Sequence, residues 1–213
     1  MFTANGTPLS EVRLTLPLTG NITADISIPQ GGALISGNVD LRVGSLVIRG
    51  TAFRSGERGI GRYALISGGN GGLSRTLAAQ AFRQMSLSAL LSGLLSEVGE
   101  TLAPDGDSAA LATFAPHWVR LAQTAAEQVQ AIAAAAGRNW RVRPDGSVWV
   151  GEDLFPVAPS GGTLMDEWPE QGKRLYGTLE PSMLPGTTID GWPIATVEHF
   201  ANAKEIRTVV YRA

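Results

Sequence analysis

The spacing of apolar residues switches twice along this chain, from every second position to helical spacing and back, and that double switch limits the folds open to it. Over Glu11–Leu18, the residues Val12, Leu14, Leu16 and Leu18 alternate with Glu11, Arg13, Thr15 and Pro17. A period of two puts one side of a strand on a core. Ile22, Ala24, Ile26 and Ile28 repeat the pattern after a Thr19-Gly20-Asn21 turn, and Pro29-Gln30-Gly31-Gly32 ends it. Proline cannot donate to a ladder, so Pro17 predicts that its strand lies at a sheet edge. Two more strands are expected, one over Val39–Arg54 bent near Gly44 or Gly50, and one over Gly61–Ser67.

From Leu87 the apolar positions are 87, 90, 91, 94, 95 and 98, the stripe of an amphipathic helix. Ser86 is placed to cap its start, and Gly99 to take the left-handed position past its end. A loop with Pro104, Asp105, Gly106 and Asp107 follows. Thr124-Ala-Ala-Glu127 is a capping box, and the helix it opens runs through Val129, Ile132 and the alanines 133–136 to Gly137. The β pattern then returns. Trp140–Arg143 and Val148–Val150 flank the turn residues Pro144-Asp145-Gly146-Ser147, a hairpin signature. Short β-like pieces follow at Arg174–Thr178, Thr196–His199 and Arg207–Tyr211.

The fold class is therefore mostly β with a helical insert (α+β), a barrel-like antiparallel β body interrupted by two helices that lie outside it. Three regions are expected: a first β (barrel) region over 1–67, a glycine-rich connection and helical insert over 68–137, and a hairpin and closing β region over 138–213.

Composition removes several kinds of chemistry. A chain of 213 residues that is 44% hydrophobic can bury a core without covalent staples. It contains no cysteine, which excludes disulfides, thiolate zinc sites, iron–sulfur clusters and cysteine nucleophiles. His117 and His199 are the only histidines, too few for a multi-histidine metal centre, and no cofactor is expected. No apolar run approaches the roughly 18 residues of a membrane span, and the N-terminus lacks the layout of a secretory leader. A soluble protein made in the cytosol, with no membrane anchor, is the expectation.

The net charge of −2 is unevenly spread. Residues 41–85 carry seven arginines and a single acid, Glu57, whereas 86–136 carry one base and five acids. Such a basic stretch suits either nucleic acid, through counterion release, or a solvated or subunit-facing surface matched to the acidic remainder. The second reading is the better one, and it makes Arg42, Arg49, Arg54, Arg58 and Arg62 candidate subunit-interface residues. Arginine outnumbers lysine fifteen to two, which suits forked contacts at interfaces.

Motifs for catalysis are missing. The string Gly68-Gly69-Asn70-Gly71-Gly72 lacks a following Lys-Ser/Thr and the G-x-G-x-x-G spacing, so it reads as a tight connection rather than a phosphate cradle. Asp105-Gly-Asp107 opens like a calcium loop but lacks the later ligands and the closing glutamate. Both histidines are flanked by apolar residues and read as packing residues. No G-x-S-x-G elbow and no H-E-x-x-H exist. Glu152, Asp153 and the acids of Asp166–Glu170 have no spacing that specifies a glycosidase pair. The tryptophans 118, 140, 149, 168 and 192 all lie in the second half. Exposed rings would bind glycans and buried rings would fill a core or subunit interface; the sequence leaves both open. No catalytic residue is nominated.

Particular words stand at the joints of this β–helices–β order. Ser67-Gly-Gly-Asn-Gly-Gly-Leu73 leaves the first β region, and Phe82-Arg83 precedes the Leu-Leu-x-x-Leu-Leu helix (90–95) that ends Glu97-Val-Gly99. Pro116-His-Trp-Val-Arg120 and the Trp140–Gly151 hairpin follow, then Leu184-Pro-Gly-Thr-Thr188, Val197-Glu-His199 and Arg207-Thr208. In this order, spanning roughly residues 40–210, the chain resembles the baseplate or tail-hub proteins of bacteriophages and related contractile injection systems. The resemblance implies that Pro116–Arg120 introduces a helix leading into the Trp140–Gly151 hairpin. It also implies a structural virion protein at the distal end of the tail, a homotrimer whose barrels match a six-fold tail tube to a three-fold spike. The partners implied are the tail tube protein, the tape-measure protein terminus and a spike, fibre or second hub protein, with genome DNA passing through the lumen. A glycan-binding module of a tail tip is the alternative, and a cell-wall hydrolase a third reading.

Overall fold

The computed structural model describes residues 2–178 and 181–213. The chain opens with β1 (Phe2–Ala4), β2 (Thr7–Pro8), β3 (Glu11–Pro17), β4 (Thr23–Ile28) and β5 (Gly37–Val43). The long β6 (Leu46–Arg58) and β7 (Gly61–Gly68) follow. Next come β8 (Gln80–Ser86), helix α1 (Leu87–Val98), the single turn α2 (Ser108–Leu111), β9 (Phe114–Arg120) and α3 (Ala125–Ala135). A short hairpin, β10 (Asn139–Val142) and β11 (Val148–Gly151), leads to β12 (Gly162–Trp168), β13 (Lys173–Thr178), β14 (Thr188–Ile189), β15 (Trp192–Asn202) and β16 (Ile206–Arg212).

One antiparallel sheet joins the first and last parts of the chain, in the order β12-β13-β16-β15-β3-β4-β7-β6-β5-β1-β2, with β14 on β15. The link between the halves is the ladder from Pro17↔Thr196 to Glu11↔Asn202. Alternation works as the sequence implies: Val12, Leu14 and Leu16 share one buried core with Ile26, Leu41, Ile66, Val197 and Val210.

Three sequence expectations about this body are corrected. The sheet is not closed into a barrel. Its ends are the two-residue β2, which stops at Pro8, and β12, which is bulged between Leu164 and Asp166; neither offers a regular ladder to the other. An opening of about 660 Å³ lies there, with Phe2 at one wall and Thr163 and Met165 at another. Second, β3 is a central strand, paired with both β4 and β15. The amide of Leu18 donates to Ala195, so by alternation Pro17 turns its missing donor towards β4, whose ladder has already ended at Thr15↔Thr23. Third, Val39–Arg54 is not one bent strand. Gly44, at φ +62°, and Ser45 reverse the chain completely between Val43 and Leu46.

The helices build a second core from Leu87, Leu91, Leu95, Val129 and Ile132, to which the hairpin adds Trp140, Val142, Val148 and Val150. The caps fall where the sequence puts them. Ser86 accepts from the amide of Ala89, Gly99 is left-handed, and Thr124 and Glu127 complete both halves of the capping box. Pro116–Arg120 lies in β9, paired with β8 in a ribbon over the helices, and the next element is α3, which leads into the β10–β11 hairpin as the resemblance implies. Arg120, buried under Phe82, joins this ribbon to α1 through Glu97, and its hydrogen bonds hold the Glu97 carboxyl below the ordinary range. The insert meets the sheet where β3 ends and β4 begins. Gly20 exchanges backbone hydrogen bonds with Trp140 and Val142, and the amide of Arg49 donates to Pro144.

Candidate assembly surface

Strand register decides where the five candidate arginines point. Val39, Leu41 and Val43 are buried, so Asp40 and Arg42 lie on the outer face of β5. Arg49, opposite Asp40, is outward by the same alternation. Continued without a break, that alternation would turn Arg54 into the core with Ile48 and Gly50. A bulge between Ala52 and Arg54 shifts the register, pairs Arg54 with the outward Leu65, and leaves Arg58 on the same side. Arg62 differs. It pairs with the buried Ile28, shares the core-facing side, and donates to the carbonyl of Gly32 at 2.7 Å.

These side chains are not equally engaged. Arg58 forks onto Asp25 and stacks over Tyr63, 4.6 Å from the ring centre. Arg49 is 3.7 Å from Asp40, a loose and exposed pair. Arg42 and Arg54 are exposed and make no ion pair among the described residues, and the bulged Phe53 between β6 partners is 62% exposed. The outer face of β5 and β6 therefore presents two guanidinium groups free of ion pairs among the described residues, Arg42 near one end and Arg54 next to the uncovered Phe53.

The glycine string is a nest with an internal occupant. The amides of Asn70 and Gly72 donate to the buried carboxylate of Glu100, at 2.9 and 2.7 Å, and Asn70 Nδ2 donates to the carbonyl of Gly99. A Cβ at Gly69 would stand 2.7 Å from Glu100 Oε2, and one at Gly72 would stand 2.1 Å from the carbonyl oxygen of Val98. Tight contact is thus the reason for the glycines. Glu100 was not legible as its partner, because the two lie thirty residues apart and only the turn after Gly99 hints at a role.

The remaining candidates are dispersed. Asp107 caps α2 through the amide of Ala110 and also receives Arg138, and both contacts lower its pKa; Asp105 is held by Arg143. Asp153 is buried against Arg141 and Asn139, Glu167 pairs with Arg174, and Glu152 and Asp166 are exposed. These acids do not converge, and among the described residues no group of three metal-ligating side chains forms. His117 is exposed on β9. His199 is buried, its Nδ1 2.8 Å from Thr208 Oγ1, which in turn meets Thr178. Trp140 and Trp149 are buried, the latter with Arg141 4.0 Å above its ring. Trp192 is covered by Arg174 at 3.8 Å, Trp168 carries Lys173, and Trp118 packs against the second core. The five rings form no common platform. No helix among the described residues is long and apolar enough to cross a membrane.

No family model and no curated protein sequence matches the chain. Its fold does match solved structures. The 43 kDa tail protein of prophage MuSo2 from Shewanella oneidensis aligns over 100% of this chain and 97% of its own, with a TM-score of 0.71 at 9% identity. A tail protein from Neisseria meningitidis MC58 aligns over 99% and 95%, with a TM-score of 0.68 at 10% identity. The Escherichia coli c3393 protein is a type VI secretion component described as structurally similar to the T4 bacteriophage tail proteins gp27 and gp5. It aligns over 100% and 77%, with a TM-score of 0.62 at 8% identity. At such identities the shared property is the fold, and it is the fold of bacteriophage tail proteins.

Proposed function

We propose that this chain is a structural subunit of a phage tail or related injection apparatus, a hub that closes with two further copies into a trimeric ring at the distal end of the tail. The observation that carries this reading is the end-to-end correspondence with two tail proteins, at TM-scores of 0.71 and 0.68. The fold alone does not dictate a role. It is supported here by the chemistry, since the acids are bound to arginines or dispersed. In this role the ring joins the tail tube to the spike or receptor-binding apparatus, contacts the tape-measure protein terminus, and leaves a lumen for genome DNA. The outward Arg42, Arg49, Arg54 and Arg58 face neighbouring subunits, and Arg62 braces the end of its own core.

Light scattering against mass standards, on the chain alone and co-expressed with the adjacent spike protein, tests the reading. A trimer in either sample supports it. A particle that stays monomeric in both overturns it.

A further inference from the structure

A single strand and a two-stranded ribbon, each strand seven residues long, keep an unpaired side among the described residues. One is β12, which ends the large sheet and among the described residues pairs only with β13. The other is the β8–β9 ribbon, whose strands pair only with each other among the described residues. Exposed strand edges recruit further chains unless they are covered. Each stretch also carries uncovered apolar side chains: Leu164 and Met165 on β12, and Phe114 and Val119 on β9. Between β12 and Phe2 lies the opening of about 660 Å³, whose lining includes Ile206.

The charges on the two stretches are complementary. Beside its edge β12 bears Asp166, exposed and free of any ion pair among the described residues, with Glu170 just beyond. The outer face of the ribbon holds Arg83 opposite His117 and Ala81 opposite Val119, and Arg83 too is exposed and unpaired among the described residues. Pairing β12 with a second β12 would gather carboxylates, whereas pairing it with the ribbon matches acid to base.

Their positions suit head-to-tail contact. The insert that carries the ribbon docks where β3 ends and β4 begins, at Gly20–Ile22. The opening is lined by Thr178 and the Asn202–Arg207 turn, and Asn202 pairs with Glu11 at the opposite end of β3. A surface at one end that fits a different surface at the other makes a heterologous interface, the kind that closes into odd-numbered rings.

We infer that the β8–β9 ribbon of one copy docks on the β12 edge and adjoining opening of the next, with Arg83 facing Asp166. This rests on the trimeric reading and specifies its interface.

The absence of native cysteine makes the test direct. Two proteins are prepared, one with Thr163→Cys and one with Val119→Cys, mixed and oxidised. Disulfides between the two different chains, in excess over like-with-like dimers, are expected. A trimer that cross-links only like with like, or not at all, overturns this interface and leaves the trimeric reading standing; a particle that stays monomeric both alone and co-expressed with the spike protein overturns both. Charge exchange supplies a second measurement. Asp166→Arg weakens association by up to about fivefold, and adding Arg83→Asp in the same chain restores it. No restoration by the second change counts against the contact.

Discussion

The carboxylate of Glu100 accepts hydrogen bonds from the amides of Gly72 and Asn70, so one side chain ties the end of α1 to the loop that leaves β7. Backbone donors buried without a partner are costly, and bonds to a charged acceptor are worth more than neutral ones. Glu100→Ala is expected to destabilise the fold by about 2–4 kcal/mol, and Glu100→Gln, which keeps one acceptor, by about half as much. Urea unfolding gives the magnitudes. Amide exchange gives the location: Asn70 and Gly72 should lose protection in both variants before the sheet amides do.

Glycine substitutions should separate by position. A Cβ at Gly72 meets the backbone carbonyl of Val98 at 2.1 Å, so Gly72→Ala has to move helix backbone, and a loss of about 3 kcal/mol is expected. Gly93 sits inside α1, exposed, with nothing within 4 Å of its would-be Cβ. Gly93→Ala should therefore stabilise, by about 0.5–1 kcal/mol, because the helix no longer carries the entropic cost of glycine. Thermal midpoints that move together in both variants would refute the distinction.

Burial of His199 depresses its pKa from 6.5 to about 4. Above pH 6.5 the imidazole is neutral in both folded and unfolded chains and adds no pH dependence. Between pH 6.5 and about 4 the unfolded chain binds a proton that the folded one refuses, so stability falls as the pH falls. The loss levels off below about pH 4, at roughly 3 kcal/mol in total. His199→Asn keeps a polar atom near Thr208 without a titrating ring. Its unfolding free energy, followed from pH 7 to 4.5, should lack the slope that the parent protein shows.

Local signals were legible in the sequence, and elements that break their own period were not. The helices could be read from Ser86, Gly99 and the Thr124–Glu127 box because those residues act within one turn of themselves. Strands β3 and β4 declared themselves by uninterrupted alternation. In β12 the bulge at Met165 flips the side-chain parity halfway along, which erases the period of two. In the ribbon, β9 contains Pro116, and β8 holds Gln84 at φ +53°. The reversal at Gly44 was visible as a glycine but not as a full turn, since Ser45 is its only companion. The outward arginines could be listed from sequence, yet only the bulge at Ala52 shows that Arg54 escapes the core, and only pairing shows that Arg62 does not.

The outward arginines give the assembly reading a test that folding does not confound. Arg42 and Arg54 are exposed and unpaired among the described residues, so nothing in the monomer depends on their charge. The double reversal Arg42→Glu and Arg54→Glu should leave the unfolding free energy within about 0.5 kcal/mol of the parent. If these side chains meet a neighbouring subunit, reversal turns attraction into repulsion and slows encounter, most visibly at low salt. Sedimentation at 50 and 500 mM salt should then show the variant dissociating more readily than the parent, with the difference shrinking as salt rises. Equal association at both salt concentrations would place the arginines on open surface. Arg62→Glu behaves differently on this account: its guanidinium bonds the carbonyl of Gly32 from the core-facing side, so it should weaken the fold itself and leave no salt-dependent association defect among the molecules that remain folded.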